Sequence, residues 1–123
     1  SYWNNAPEMA AALACIDEMQ KIDAAAICDA RGALLRRGLE ERAAAHGLSF
    51  RMSGPNAIPF LHFTNESNFK RAQLFCRECS VRGVYFFWHH NMFLSAAHTE
   101  ADIRQTLDVA DQAFRIVKEQ FGE

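Results

Sequence analysis

The chain has 123 residues, of which half are hydrophobic and 23% charged, and a formal net charge of -2. That is the length of one domain with room for a real hydrophobic core, and the balance of a folded globular protein rather than a disordered one. It excludes a nucleic acid or an anionic membrane surface as partner, because the densest basic group, Arg36-Arg37 with Arg31 and Arg42 nearby, is offset by Glu40 and Glu41.

The apolar runs are too short to cross a bilayer. Cys15, Cys28, Cys76 and Cys79 come without a signal peptide, and Cys15 and Cys28 sit within helix-like patterns. They read as reduced thiols of a cytosolic protein, so the expected location is cytoplasmic. The opening Ser1-Tyr2-Trp3, with no initiator methionine, reads as the start of a piece cut from something longer.

From the N-terminus, Met9, Leu13, Ile16 and Met19 or Gln20 recur at helical spacing, with Asn5 or Ala6 as cap and Pro7 near the first helical position. This predicts a helix to about Lys21. A second helical stretch starts at Asp23, carries Ala26, Ile27, Ala30, Leu34, Leu35 and Leu39, and stops at His46-Gly47. The first third is therefore a long helix broken near Ile22-Asp23. Gly32 and Gly38 would let other elements come close.

The character changes at Leu48. Leu48 to Met52 alternates as a strand does, Ser53-Gly54-Pro55-Asn56 is turn chemistry, and Ala57 to Phe63 reads as a second strand. Pro59 donates no hydrogen bond, which puts that strand at an edge or gives it a bulge, and His62 faces away from Leu61 and Phe63. Asn65 to Ser67 can cap a third helix with Phe69, Ala72, Leu74 or Phe75 and Cys79 inside, ending at Arg82-Gly83. Val84 to Trp88 is wholly apolar and predicts a short buried strand.

Thr99-Glu100-Ala101-Asp102 has the spacing of a capping box and opens a last helix with Ile103, Leu107, Ala110, Phe114, Val117 and Phe121 on its apolar face. The expected fold is α+β. A long N-terminal helix leads into a small, mainly antiparallel sheet of about three strands, with helices packed on one side.

Candidate chemistry is sparse. Cys76-Arg77-Glu78-Cys79 has the spacing of half a zinc site or of a dithiol, but it falls late in its helix and lacks a second pair, so packed thiols are the competing reading. His89-His90-Asn91 follows the expected strand, where loops often carry function, yet adjacent residues diverge and the two histidines do not suit one metal. His46 reads as a helix-end residue and His98 as structural. There is no nucleophile elbow and no phosphate-cradling glycine loop. No catalytic or metal set is complete.

Two stretches are more specific. Leu94 to Ile103, Leu-Ser-Ala-Ala-His-Thr-Glu-Ala-Asp-Ile, resembles without gaps the motif opening the last helix of class III aminotransferases, glutamate-1-semialdehyde aminomutase in particular. Ser1 to Ala11 is similar to the family's segment after the cofactor lysine, and Arg31 to Leu35 and Arg82 to Tyr85 fall where the family has like sequences. Where the commoner run is Ser-Gly-Asn-Pro, this chain has Trp3-Asn4-Asn5-Ala6. That departure points to a relative rather than to the heme-pathway aminomutase itself.

The resemblance implies the C-terminal small domain of a fold type I pyridoxal-phosphate enzyme. Residues 1–123 would form this single domain, with 1–47 an interdomain-type helical segment and 48–123 an α/β sandwich. It implies an amino-group transfer on an amino acid or amino-aldehyde substrate, and a homodimer. His89, His90 or Asn91 would stand near substrate, and Ser1 would contribute to the phosphate of the partner subunit's cofactor. The family's Schiff-base lysine and pyridine acid lie in the large domain, and Lys21, Lys70 and Lys118 are in no such motif, so this chain alone is expected to be inactive and to hold no cofactor. Two other readings stay open: a non-catalytic interaction domain, and a thiol or metal module built on Cys76 and Cys79.

Overall fold

A computed structural model describes residues 5–122. The order is α1 (Ala6–Lys21), α2 (Ala24–Ala45), β1 (Phe50–Ser53), β2 (Phe60–Phe63), α3 (Lys70–Ser80) and α4 (Glu100–Phe121). The strands pair antiparallel, with Phe50 opposite Phe63 and Met52 opposite Leu61. Their period of two turns Phe50, Met52, Leu61 and Phe63 into the core and leaves Arg51 and Ser53 exposed.

The helical break falls where the sequence places it. Asp23 adopts a left-handed conformation, φ 51°, which Asp tolerates better than most residues, and its carboxylate accepts from the Ala26 amide at 3.4 Å. At the far end of α2, Gly47 has φ 67°, its amide donates to the Ala44 carbonyl, and the Leu48 amide donates to that of Ala43, each at 2.9 Å. These are the two bonds of a Schellman stop. The same pair closes α3, where Gly83, φ 87°, donates to Ser80 and Val84 to Cys79, each at 3.0 Å.

Gly32 and Gly38 both admit close neighbours. A Cβ on Gly32 would lie 1.9 Å from the Asn56 carbonyl oxygen, and one on Gly38 2.5 Å from Leu107 Cδ1. The β1–β2 connection thus lies directly on α2, and Arg36 fastens it there. Its Nε donates to Asn56 Oδ1 at 3.0 Å, its two terminal nitrogens to the carbonyls of Gly54, at 2.5 Å, and Met52.

α2, α3 and α4 pack on one face of the hairpin around an aromatic centre. Phe75 stacks on Phe114 with ring centroids 4.5 Å apart and on Phe86 at 5.6 Å, and Phe50 meets Phe114 edge-on at 5.1 Å. Each fully buried Phe contributes about 1.5–3 kcal/mol by leaving water. The apolar face expected of α4 is buried from Ile103 to Val117, and Phe121 packs at its margin. The Thr99 capping box is formed: its hydroxyl accepts from the Asp102 amide at 3.2 Å, and Asp102 Oδ2 accepts from the Thr99 amide at 2.7 Å.

Two expectations differ from the structure. α3 begins at Lys70, and Phe69 is its N-cap in a left-handed conformation, 41% exposed, rather than an inner residue. Its N-terminal amides are met by Glu66, whose carboxylate accepts from Arg71 and Ala72 at 2.7 and 3.1 Å.

The sheet has two strands instead of about three, because residues 84–88 join no ladder. The neighbour of the 57–59 run is the segment around Met92 and Leu94, whose amides donate to the carbonyls of Pro59 and Ala57, both at 2.9 Å. Pro59 has no N–H to return the bond, so the contact does not develop into a third strand. α1 buries no residue, and Met9, Leu13, Ile16 and Met19 are all between 46% and 63% exposed.

Candidate functional site

Between α2, α4 and the loop joining α3 to α4 lies an open cavity of about 410 Å3. Leu35, Val84, Phe86, Leu94 and Ile103 form apolar walls, with Tyr85 and Phe93 also lining it. Phe86 fixes one wall by its stack on Phe75, and the two amide bonds to Pro59 and Ala57 fix the other.

The polar wall is the start of α4: His98, Asp102, Gln105 and Thr106. Residues 102, 105 and 106 are three and four apart and share one helix face. His98 Nδ1 accepts from the Ser95 amide at 3.0 Å, so in the neutral ring the hydrogen is on Nε2. The backbone and hydroxyl hydrogen bonds from Thr99 hold the Asp102 carboxyl below its ordinary pKa, and His98 lowers it further, so it is anionic at neutral pH. Arg31 ties α2 to the same turn through Glu100 at 2.7 Å. The arrangement suits a ligand with an apolar body and a hydrogen-bonding or cationic end.

The residues expected near substrate sit at the tip of the loop. His89, His90 and Asn91 are exposed and do not line the cavity. His89 lies over Trp88, ring centroids 4.9 Å apart, and His90 Nδ1 donates to the Asn91 carbonyl at 2.8 Å. The ring of His90 is 6.2 Å from that of Phe93, the link between this tip and the cavity. Ser1 lies outside the described residues. The sequence did carry a signal for the polar wall, because the capping box fixes Asp102 at the third helical position and hence the face of Gln105 and Thr106.

Cys76 and Cys79 are both buried in the core. Burial pushes the Cys76 thiol up to about 12, and burial with the neighbouring Cys76 pushes Cys79 higher still. Both stay protonated, the form that neither attacks nor binds metal. Among the described residues no group of three His, Cys, Asp or Glu side chains converges on a metal position.

No helix is long and apolar enough to cross a membrane among the described residues. The described residues do not by themselves fit pyridoxal phosphate. Its chemistry requires a lysine to form a Schiff base, and no lysine lines the cavity. Lys21 and Lys70 are exposed, and Lys118 lies near Gly47.

No family model matches the chain. An aminopentol aminotransferase of Sphingopyxis macrogoltabida is 37% identical over 122 residues, 99% of this chain and 29% of the relative. Glutamate-1-semialdehyde 2,1-aminomutase 2 of Bacillus velezensis is 27% identical over 99 residues, 71% of this chain and 23% of that protein.

Among solved structures, the pyridoxal-phosphate form of the FumI protein of Sphingopyxis sp. MTA144 superposes with a TM-score of 0.75 and 39% identity, covering 79% of this chain and 23% of that one. An omega-transaminase from Sphaerobacter thermophilus shares the fold, with a TM-score of 0.65 at 18% identity over 73% of this chain and 23% of its own length. The chain spans less than a third of the length of each of these relatives. Over nearly its whole length the chain is similar to a part, under a third, of class III pyridoxal-phosphate-dependent aminotransferases.

Proposed function

We propose that the chain is the C-terminal small domain of a class III aminotransferase that moves an amino group to or from an amine, amino acid or amino-aldehyde. The observation that carries this is the 37% identity along 99% of the chain to an aminopentol aminotransferase. The Schiff-base lysine and the partner of the pyridine nitrogen would come from polypeptide outside these residues, and this domain would supply one wall of the substrate entrance. His89, His90 and Asn91, exposed at their loop tip, would meet substrate there. The enzyme would be a homodimer in which Ser1 contributes to the phosphate site of the neighbouring subunit.

Aminotransferase and aminomutase share these parts. The weaker identity to the aminomutase, 27% against 37%, favours an amine donor as the first substrate class to try.

The test is expression of the full-length reading frame that contains this chain, followed by measurement of bound pyridoxal phosphate and of amino transfer from aminopentol and from glutamate-1-semialdehyde. Stoichiometric cofactor with transfer from the amine supports the reading. A full-length protein that binds no cofactor refutes it.

A further inference from the structure

The segment from Tyr85 to Trp88 has the geometry of a strand without the bonds of one. Its burial alternates, with Phe86 5% exposed between Tyr85 at 75% and Phe87 at 41%. The rings of Tyr85 and Phe87 stack at 6.5 Å and 10°. That separation is about twice the 3.3 Å rise of an extended chain. Yet the N–H groups of residues 85–88 and the C=O groups of Tyr85 and Phe86 make no backbone hydrogen bond among the described residues, and a turn begins only at Trp88. Folded proteins protect such edges with charge, proline or a bulge, because open edges recruit other strands. The run Val84-Tyr85-Phe86-Phe87-Trp88 has neither charge nor proline.

We propose that Tyr85 to Trp88 is a vacant sheet edge, completed in the intact enzyme by a β-strand from the part of the polypeptide that its longer relatives have beyond the matched region. This rests on the proposed function. The cavity lined by Val84, Tyr85, Phe86 and Leu94 runs beside the edge. An incoming strand with apolar residues at alternate positions would pair with the edge and place those side chains in the cavity.

A second copy of this chain is a poorer occupant. Its own edge has Phe86 as the inward residue, already stacked on its own Phe75 at 5.6 Å, and so brings nothing to fill the cavity. A strand in the same polypeptide also pairs at high effective concentration.

Amide hydrogen exchange tests this on two proteins, the 123-residue chain and the full-length polypeptide that contains it, with Phe114 in the core as an internal reference. The expected result is exchange at Phe86, Phe87 and Trp88 slowed by about a hundredfold or more in the full-length protein relative to the short chain, with Phe114 protected in both. Fast exchange at 86–88 in both proteins overturns the proposal. So does protection in the short chain that rises with its concentration, since the occupant is then a second copy.

Cofactor binding separates the two readings. Strand protection in a full-length protein that holds no pyridoxal phosphate leaves the pairing standing and removes the functional reading, and cofactor without protection does the reverse. A gene that encodes these 123 residues and no more overturns both.

Discussion

Replacing Gly32 with alanine sets two effects of opposite sign against each other. In an exposed helix interior the change stabilises by about 1 kcal/mol, because alanine has the better helix propensity. Here the new methyl would sit 1.9 Å from the Asn56 carbonyl oxygen and 2.4 Å from its carbon. Both are backbone atoms, and a rotamer change cannot relieve the clash. To reach the 3.4 Å of ordinary contact the connection between β1 and β2 must retreat by 1.5 Å.

That retreat strains the three bonds by which Arg36 holds Met52, Gly54 and Asn56. Overpacking of this kind costs about 1–3 kcal/mol, and hydrogen bonds to a charged group are worth about 1.5–3 kcal/mol each. Even with one such bond lost and the propensity gain subtracted, the expected destabilisation is about 2 kcal/mol or more. For a chain of this size that lowers Tm by roughly 6 °C or more.

Urea denaturation with matched thermal melts measures it. Gly38→Ala is the control, because the nearest atoms to its methyl are Cδ1, Cδ2 and Cγ of the Leu107 side chain, at 2.5, 2.7 and 3.2 Å, and a side chain can shift where backbone cannot. A Gly32→Ala protein as stable as the parent, or more so, would refute the packing of the 53–56 connection on α2.

Thr99→Ala removes the hydroxyl half of the capping box and is expected to destabilise by about 1 kcal/mol in the same melts, with Thr99→Ser restoring most of it. Asp102 has a lowered carboxyl pKa, so its contribution is present above the unfolded-state pKa and is lost as pH falls through the folded one. Asp102→Asn should flatten the stability profile below about pH 4, and an unchanged acid limb would contradict the box. A thiol reagent near neutral pH should modify exposed Cys15 first and Cys28 more slowly, and reach Cys76 and Cys79 only in denaturant. Fast labelling of all four in the native protein would refute the buried placement. The exposed stripe of Met9, Leu13, Ile16 and Met19 should make the 123-residue chain self-associate, and Leu13→Lys with Ile16→Lys should shift its sedimentation toward monomer.

What the sequence determined by itself was local. The break at Asp23, the two glycine stops after α2 and α3, the capping box of α4 and the buried face of that helix each depend on a few neighbouring residues whose conformational preferences agree. Thiol packing was legible too, since Cys79 falls on the inner side of α3. The likeness to class III aminotransferases was expected from Leu94 to Ile103, a run that resembles the motif opening their last helix.

Tertiary structure decided the rest, because those outcomes depend on partners distant in the chain. Whether Val84 to Trp88 becomes a strand depends on a second edge with a free N–H and C=O, and none of the described residues supplies one. The apolar spacing of α1 is the same whether its face is covered or bare. The cavity is made by Leu35, Phe86, Leu94 and Asp102, which only the packing of α2 and α4 brings together. Periodicity reports which face of an element is apolar, and burial additionally requires something to lie against it.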